Sequence, residues 1–379
     1  MSLKINGSRI REARVFNGLT ITQLAEKLSV SKQMVSRYEH NTANISLDKF
    51  KKLVEVLKFP IGFFTESDKF AYGNSETFYR SRLTSTQSEK QPSEIYKKAA
   101  AVTKDFFEQY VNFPKLEPIQ LSDNVTPEAA AVALRTKWGL GSLPIQNIVE
   151  LLERHGLTVI NVDLGTDKVD AHSGLVHVNG RSYYVVLSNK NSNFYRSQFT
   201  LAHELGHYVL HNGKLDPNDL DSIEYKLMEK EADAFASSFL LPSTPFKNDI
   251  LSIVIDDVLS YVPLKQKWNV SISSMIYRAY SLGLLSENQR LKLYKALSYR
   301  KWRKHEIFDS ESPVSQPRAM KDAFRLIEKN TSIAPVNLAT NINNIYGVYY
   351  PNVILANVIG IDLNEFSAEV IPLSLKNIE

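Results

Sequence analysis

The sequence predicts an α+β protein that is mainly helical and divided into several domains. Apolar residues recur at helical spacing over most of the chain, whereas two short runs, Ser173–Val178 and Arg181–Leu187, are predicted to be strands. Asn179-Gly180 between these runs is a strong signal for a two-residue hairpin. A length of 379 residues, of which 43% are hydrophobic, is sufficient for two or three separate cores.

The composition excludes several classes of protein. The chain has no cysteine, so neither disulfides nor thiolate metal sites are available. Because no stretch resembles a signal peptide or a membrane-spanning run, we expect a cytoplasmic protein without membrane binding. Residues 1–58 hold 11 Lys and Arg against 5 Asp and Glu, which is +6 within a net charge of +4 and leaves −2 for the rest. This basic N-terminus indicates a partner with phosphates.

The N-terminal domain, residues 1–68, is predicted to contain four or five short helices. Thr20 and Ser31 are the expected N-caps of the second and third helices. A short turn joins these two helices into a helix-turn-helix, whose second member can enter the major groove of DNA. The predicted helices run from about Ile10 to Gly18, Ile21 to Leu28, Lys32 to His40 and Ile45 to Leu57, with a fifth from Pro60.

The stretch GLTITQLAEKLSVSKQMVSRYEHN resembles the Xre/Cro family of DNA-binding domains. The resemblance implies double-stranded DNA as a partner, with Gln23 on a phosphate. It implies four residues that read or flank bases: Lys32, Gln33, Ser36 and Arg37. Glutamine can bond adenine through both amide atoms, and lysine or arginine suits guanine or phosphate. A homodimer would bind a pseudo-palindromic site. The alternative is a helical packing module without a DNA role.

Residues 69–125 are predicted to connect two domains. Ser75–Pro92 is polar and rich in Ser, Thr and Gln, which is typical of a linker. An amphipathic helix from about Pro92 to Val111 follows it. Because the polar stretch has no predicted core, it is also the place where self-cleavage would be easiest.

The central domain, residues 126–245, contains the clearest chemical motif. His203, Glu204 and His207 have the spacing HExxH within FTLAHELGHYVLH. On a helix, both imidazoles can reach one ion while the adjacent Glu204 faces the open coordination position. Zinc at such a site activates water, and a nearby carboxylate must take the proton of that water. We therefore predict one Zn²⁺ per chain, with Glu204 as the general base.

A second helix, Glu229–Phe239, is expected to supply the third metal ligand. Glu229 and Glu231 both compete for this role. We favour Glu229, because Asp233 then lies four residues on, where it can accept the free ring N–H of a ligand histidine. Glu231 has no such carboxylate one turn later.

The runs RSQFTLAHELGHYVLH and EKEADAFASSFLLP resemble the ImmA/IrrE family of metallopeptidases, in which a downstream Glu completes HExxH. The resemblance implies three zinc ligands and a base: His203, His207 and Glu229, with Glu204. Ala232-Asp233 matches the residue pair that follows the third ligand in the family. Members of the family cut repressors of the Xre/Cro class, so the resemblance also implies a repressor as the protein substrate.

Three further histidines surround the motif. The hairpin offers an edge on which a peptide substrate could lie as an added strand. His172 and His177, on or beside the hairpin, are candidates for polarising the scissile carbonyl or stabilising the oxyanion. His211 lies one turn after His207, and we favour support or packing over ligation because Glu229 already completes three protein ligands.

The region after Pro242 carries weaker signals. Within residues 246–310, Val262–Leu284 has a second helix-turn-helix outline, but Arg278 is the only strong base reader on its second helix. A packing or substrate-docking role is therefore favoured over DNA binding. Residues 311–379 are left with an uncertain α/β fold and no assigned role.

Three functions are compatible with these observations. The favoured one is a DNA-binding transcriptional regulator fused to a zinc endopeptidase that cleaves a separate repressor or antitoxin-like protein. The second is a transcription factor whose zinc domain senses a signal or binds a partner without proteolysis, and the third is a scaffold with two recognition surfaces. A sensor that only bound metal would not need Glu204, which favours the first.

Overall fold

The computed structural model describes residues 5–65, 72–79, 87–119, 121–122, 124–163, 171–190, 192–211 and 220–367. These residues are mainly helical and include one small sheet, which confirms the predicted fold class. The chain divides into two compact units. The first comprises Met1–Phe70, Val102–Val111 and Met320–Glu379, and the second comprises Ala71–Ala101 and Asn112–Ala319.

The first unit begins with the five short helices expected from the sequence. Thr20, Ser31 and Ser46 cap the second, third and fourth helices through their side-chain oxygens. Asn41 takes the left-handed conformation after α3, with φ 57°. The five helices are α1 (Gly7–Phe16), α2 (Ile21–Leu28), α3 (Lys32–Glu39), α4 (Leu47–Leu57) and α5 (Ile61–Thr65).

A buried ion pair joins the first and third of these helices. Arg14 Nε donates to Glu39 Oε1 at 2.5 Å, and Arg14 Nη2 donates to the second carboxylate oxygen at 3.1 Å. Leu24, Val35 and Leu53 form part of the apolar core around this pair. The core fixes α2 and α3 as a helix-turn-helix and leaves the outer face of α3 in solvent.

The rest of the first unit is helical. Helix α6 (Gln87–Phe107) contributes its last turns, and Asp105 accepts a hydrogen bond from Tyr346 Oη at 2.6 Å. The described part of residues 311–379, which were left with an uncertain α/β fold, contains helices and no strand. These helices are α15 (Ala319–Asn330), α16 (Pro335–Tyr346) and α17 (Asn352–Ile359).

The second unit contains a four-stranded sheet of order β1-β3-β4-β2. The predicted hairpin is present, with Asn179 and Gly180 at φ 52° and 77° as its turn requires. Strand β2 pairs parallel with β4, and β3 pairs antiparallel with both β4 and β1. The strands are β1 (Tyr72–Tyr79), β2 (Thr158–Val162), β3 (Ala171–Val178) and β4 (Arg181–Asn189).

Strand β1 corrects the linker predicted over Ser75–Pro92. Part of that stretch pairs with β3, and α6 already begins at Gln87 rather than near Pro92. The composition of the stretch indicated a linker because it is polar and rich in Ser, Thr and Gln. The pairing depends on a partner strand that is distant in the sequence, which local patterns cannot reveal.

Helices cover this sheet and surround the core of the second unit. One of these helices starts at Ile148, with Asn147 as its N-cap. The helices are α7 (Pro127–Lys137), α8 (Ile148–Arg154), α9 (Phe194–Leu210), α10 (Ser222–Leu240), α11 (Ser243–Leu251), α12 (Val262–Trp268), α13 (Ile272–Ser281) and α14 (Glu287–Tyr299).

Helices α9 and α10 pack closely against each other, and this packing positions the HExxH motif. Ala232, Phe235 and Phe239 of α10 are completely buried. A Cβ atom on Gly206 would lie 3.1 Å from the Phe235 ring and 3.2 Å from the Ala232 backbone. A larger residue at this position would therefore have to push α10 or the Phe235 ring outwards by a few tenths of an ångström next to His207.

Helices α12 and α13 have the outline of a second helix-turn-helix, but α13 is packed into the protein. Asn269 closes α12 with φ 57°, and Ser271 caps α13. Arg278, the one strong base reader that the sequence offers on α13, is buried. Its guanidinium donates to the Leu241 carbonyl at 3.0 Å and to Glu128 at 2.9 Å. Arg278 therefore acts in packing.

Candidate metal centre

Three side chains from α9 and α10 converge on one point. His203 Nε2 and His207 Nε2 lie 3.0 Å apart, and the Glu229 carboxylate oxygens lie 3.5 Å from each of them. One ligand atom from each residue lies within 4.8 Å of the others. Donor atoms about 2.0 to 2.1 Å from a tetrahedral zinc ion are roughly 3.3 Å apart. The spacing and chemistry of the three groups therefore fit zinc.

The structure separates the two acidic residues that competed for the third position. Glu229 lies with the two imidazoles, whereas Glu231 Oε2 lies 3.0 Å from His211 Nε2. Both residues are on α10, and a difference of two positions directs them to different sides of the helix.

Both imidazoles are held by a partner on the nitrogen that points away from the group. Asp233 Oδ1 lies 2.8 Å from His203 Nδ1. His207 Nδ1 lies 3.1 Å from His211 Nδ1, whose other nitrogen contacts Glu231. These contacts orient both Nε2 atoms towards Glu229. The sequence did not predict the contact of His211 with Glu231.

Glu204 is fully buried next to the three-residue group. Its Oε2 accepts a hydrogen bond of 2.5 Å from Ser173 Oγ on β3. Ser173 Oγ also lies 2.9 Å from the hydroxyl of Tyr184 on β4. Strand alternation could have predicted that Ser173 and Tyr184 face the metal helix, but only the fold could identify Glu204 as their neighbour.

Two other side chains contribute to the electrostatics of the centre. Burial lowers the pKa of the Lys97 ammonium, while the charges of Glu94 and Glu204 oppose the change. Burial also raises the pKa of Tyr225, and both the charge of Glu229 and a hydrogen bond to it act in the same direction. Tyr225 precedes Glu229 by one helical turn, so its hydroxyl reaches the same side of the centre.

Burial controls the protonation of the imidazoles. It lowers the pKa of His207 to about 4, against the opposing effect of Glu229. It lowers the pKa of His211 to about 4 as well, with the neighbouring His207 acting in the same direction. Burial would raise the pKa of Glu229, but hydrogen bonds from His203 and His207 outweigh it and hold that pKa low. Near neutral pH the group consists of a neutral imidazole at His207 and a carboxylate at Glu229, which is the state that binds metal.

The two hairpin histidines do not join this group. Ser173 faces Glu204, so the preceding residue, His172, faces the opposite side of the sheet, where it is buried. His177 Nδ1 lies 2.9 Å from Ser182 Oγ at the far end of the hairpin. The structure thus places neither histidine where a carbonyl oxygen over the centre could reach it.

A cavity of about 390 Å³ lies against the first half of α9, and none of His203, Glu204, His207 and Glu229 lines it. It is lined by Arg196 and Thr200, which share one face of α9 with His203. Tyr277 and Trp302 form part of its opposite side.

The predicted DNA-contact residues lie on the α2–α3 pair of the first unit. Lys32, Gln33 and Arg37 are exposed on α3, and Ser36 is half-buried between them. Gln23 is exposed at the start of α2, where its Oε1 accepts from the Thr20 amide in a capping box.

Comparisons with known families agree with both parts of this architecture. The sequence profile of the IrrE N-terminal-like domain matches residues 152–280, and that of the helix-turn-helix matches residues 10–64. The chain joins a helix-turn-helix domain to an IrrE-like domain. Both resemblances inferred from sequence motifs are thereby confirmed. Among the described residues, no helix is both long and apolar enough to cross a membrane.

Two of the relatives match short stretches of the chain. An HTH-type transcriptional regulatory protein of Pyrococcus furiosus is 39% identical over 59 residues, which are 16% of this chain and 19% of the relative. An uncharacterised HTH-type regulator of Sinorhizobium medicae is 32% identical over 60 residues, 16% of this chain and 43% of the relative. The chain thus spans less than half of either relative. A Mycobacterium tuberculosis transcriptional regulator of known structure has a TM-score of 0.31 at 20% identity, covering 52% of this chain and 54% of that one.

Proposed function

We propose that the chain is a transcriptional regulator whose IrrE-like domain is a zinc-dependent endopeptidase that cuts a regulatory protein, such as a repressor. The observation that carries the proposal is Glu204, a buried carboxylate that Ser173 holds beside the group of His203, His207 and Glu229. A site that only bound metal would not require a second carboxylate next to its ligands. The match to the IrrE N-terminal-like domain supports the same activity.

The metal would be held by His203, His207 and Glu229, with Asp233 and His211 fixing the rings from behind. When bound, zinc lowers the pKa of a water molecule towards neutrality and polarises the scissile carbonyl. The lowered pKa of His207 keeps its imidazole neutral for this role at ordinary pH.

Glu204 takes the proton of the attacking water and later gives it to the leaving amine. The 2.5 Å hydrogen bond from Ser173 holds one oxygen of this carboxylate, so the other oxygen is directed to the reacting water. Lys97 is buried close enough to Glu204 for the charge of that carboxylate to act on the pKa of the lysine. Together they hold the base in one position during both proton transfers.

Tyr225 is the group that we assign to the oxyanion. Its hydroxyl bonds Glu229 and is close enough to Glu204 for that charge to raise its pKa. A phenol with a raised pKa stays protonated, and its single proton turns from Glu229 to the oxygen that becomes negative during attack. This assignment replaces His172 and His177, which lie away from the centre.

The helix-turn-helix domain would bring the peptidase to DNA. Its match to HTH-type regulators and the exposed Lys32, Gln33 and Arg37 of α3 support this role. Helix α3 is a short helix with a free outer face, as reading of the major groove requires.

The decisive experiment tests cleavage. Zinc-loaded protein is incubated with repressors encoded beside its gene, and the products are analysed by mass spectrometry. We expect a single cut in a partner that Glu204→Gln protein cannot make, although that variant keeps its zinc. A fragment of the chain itself that starts between residues 75 and 92, formed by the wild type alone, would instead identify self-cleavage as the mechanism. Zinc-loaded protein that cuts nothing would favour the sensor without proteolysis.

A further inference from the structure

The outer edge of β3 is already occupied by the chain itself. Strand β3 pairs with β4 on one side and with β1 on the other, antiparallel to both. The β1 pairing extends over the whole strand, from Tyr72 opposite Val178 to Tyr79 opposite His172. Without β1, β3 would be an edge strand with a row of open backbone groups, which is the surface that extended peptides bind.

This edge passes directly beside the general base. Phe78 of β1 is the register partner of Ser173, and the Ser173 hydroxyl bonds Glu204. An extended backbone on this edge therefore lies one strand spacing, about 4.8 Å, from the residue that holds the base. The α6 segment that follows β1 carries Lys97, whose charge interacts with Glu204. Strand β1 and Lys97 of α6 therefore both lie near Glu204.

We propose that the outer edge of β3 is the docking surface for the substrate, and that residues 72–79 occupy it as an internal competitor. The substrate is then a protein segment that is already extended or can be extended, and it must displace β1 before it is cut. This proposal rests on the peptidase function proposed above.

The first half of β1 has a composition that favours displacement. This half contains Gly73 and Asn74, which are among the residues least favourable in strands, whereas Thr77, Phe78 and Tyr79 in the second half are good strand formers. A segment with Val, Ile, Thr or aromatic residues along its whole length would form a stronger strand on the same edge. To displace β1, a substrate segment must pair with β3 more strongly than β1 does. This requirement favours β-prone segments over polar ones.

A bulge explains how β1 occupies the surface without being a good substrate. The register shifts between Ser75 and Thr77, so that Glu76 is an extra residue opposite the Leu175-Gly174 step. The shift lies one residue pair away from Ser173, at the level of the base. A bulged backbone turns its carbonyl groups away from the regular direction, and cleavage requires the reacting atoms within about 3.5 Å of each other in a defined orientation.

Peptide binding in the Glu204→Gln background tests the proposal without depending on catalysis. The probe is a fluorescein-labelled peptide with the sequence of residues 72–79, and binding is followed by fluorescence anisotropy. One variant, Asn74→Pro with Thr77→Pro, weakens β1 because proline cannot donate to the ladder. A matched variant, Asn74→Thr with Ser75→Val, changes neighbouring positions of the same strand but strengthens it.

The affinity for the labelled peptide should differ among the three proteins in a fixed order. Because a tethered strand competes at a high effective concentration, its release should tighten binding of the probe by about tenfold or more. The strengthened variant should bind the probe more weakly than the parent. Hydrogen exchange at the amides of β3 should increase in the proline variant and decrease in the strengthened one. Equal affinity in all three proteins, or unchanged exchange in β3, would overturn the proposal.

Cleavage assays then separate this proposal from the proposed function. With Glu204 restored, the proline variant should cut an unfolded protein faster than the parent does. If neither protein cuts any substrate while the binding order holds, the peptidase function fails and the docking surface stands. If both proteins cut at equal rates, the function stands and β1 is not a competitor.

Discussion

The carboxylate of Asp233 lies 2.8 Å from Nδ1 of His203, one helical turn beyond Glu229 on the same helix. Helix α10 therefore brings two carboxylates to one imidazole, the first towards the metal position and the second behind the ring. Such a pair of contacts fixes the ring and makes its free nitrogen a better ligand.

Replacement of Asp233 by Asn should weaken zinc binding by about 10- to 100-fold without removing it, because the three ligand side chains remain. Zinc affinity can be measured by competition with a chromogenic chelator. Asp256→Asn, which removes an exposed partner of Lys292 on the surface, is the control and should leave the affinity unchanged. Equal affinities for both variants would show that the Asp233 contact does not support the ligand.

The third ligand can be identified by comparing Glu229→Ala with Glu231→Ala. Loss of Glu229 should reduce zinc from about one ion per chain to almost none, as His203→Ala and His207→Ala should, because three protein ligands are needed. Loss of Glu231 removes the contact to His211 and should leave most of the zinc in place. Metal analysis of the dialysed proteins gives the result, and a zinc content that depends on Glu231 alone would reverse the assignment.

Burial of His207 predicts how the stability of the metal-free protein depends on pH. Its imidazole binds a proton near pH 6.5 when unfolded but only near pH 4 when folded. The stability from the neutral ring is complete above about pH 6.5 and is lost as the pH falls towards 4. The loss should approach about 3 kcal/mol. Urea unfolding at several pH values should show a smaller loss for His207→Gln, whereas His305→Gln, at an exposed position, should behave as the parent.

Tyr225→Phe tests the group assigned to the oxyanion. Removal of one such donor should lower kcat by about a hundredfold and change KM little, because the hydrogen bond forms in the transition state. Tyr208→Phe is a matched control on α9, because the Tyr208 hydroxyl donates to the Glu117 carbonyl instead. A rise in KM with kcat unchanged would assign Tyr225 to ground-state binding.

The helix-turn-helix domain should show two separable kinds of DNA contact. Gln33→Ala should relax the preference at particular base pairs, at a cost of about 1 to 3 kcal/mol on the preferred site. Lys32→Ala should weaken all sequences alike and reduce the slope of log K against log salt by about 1. Titrations of the full chain at several salt concentrations distinguish the two, and the absence of any preference over random duplex would make the domain a packing module.

Local signals predicted much of this protein. The caps Thr20 and Ser31 and the hairpin turn at Asn179 act within a few residues, so the sequence reveals them directly. The HExxH spacing is also a local signal, because a helix alone brings His203 and His207 together.

The features that local sequence signals did not predict depend on contacts between distant segments. Ser173 reaches Glu204 only because β3 packs on α9, and nothing near either residue indicates the contact. The strand at residues 72–79 reads as a linker because its pairing partner lies far along the chain. Arg278 carries the chemistry of a base reader, but packing of α13 directs it to Leu241 and Glu128. Tertiary structure decides such positions.

The order of the strands also affects how a new chain matures on the ribosome. Strand β1 is synthesised before α6, α7, α8 and β2, yet its partner β3 comes after all of them. At roughly 5 to 20 residues per second, β1 waits several seconds or longer before it can pair. An unpaired strand is a template for aggregation with neighbouring nascent chains, and polar residues reduce that risk. Gly73, Asn74, Ser75 and Glu76 thus protect the chain while it is being made.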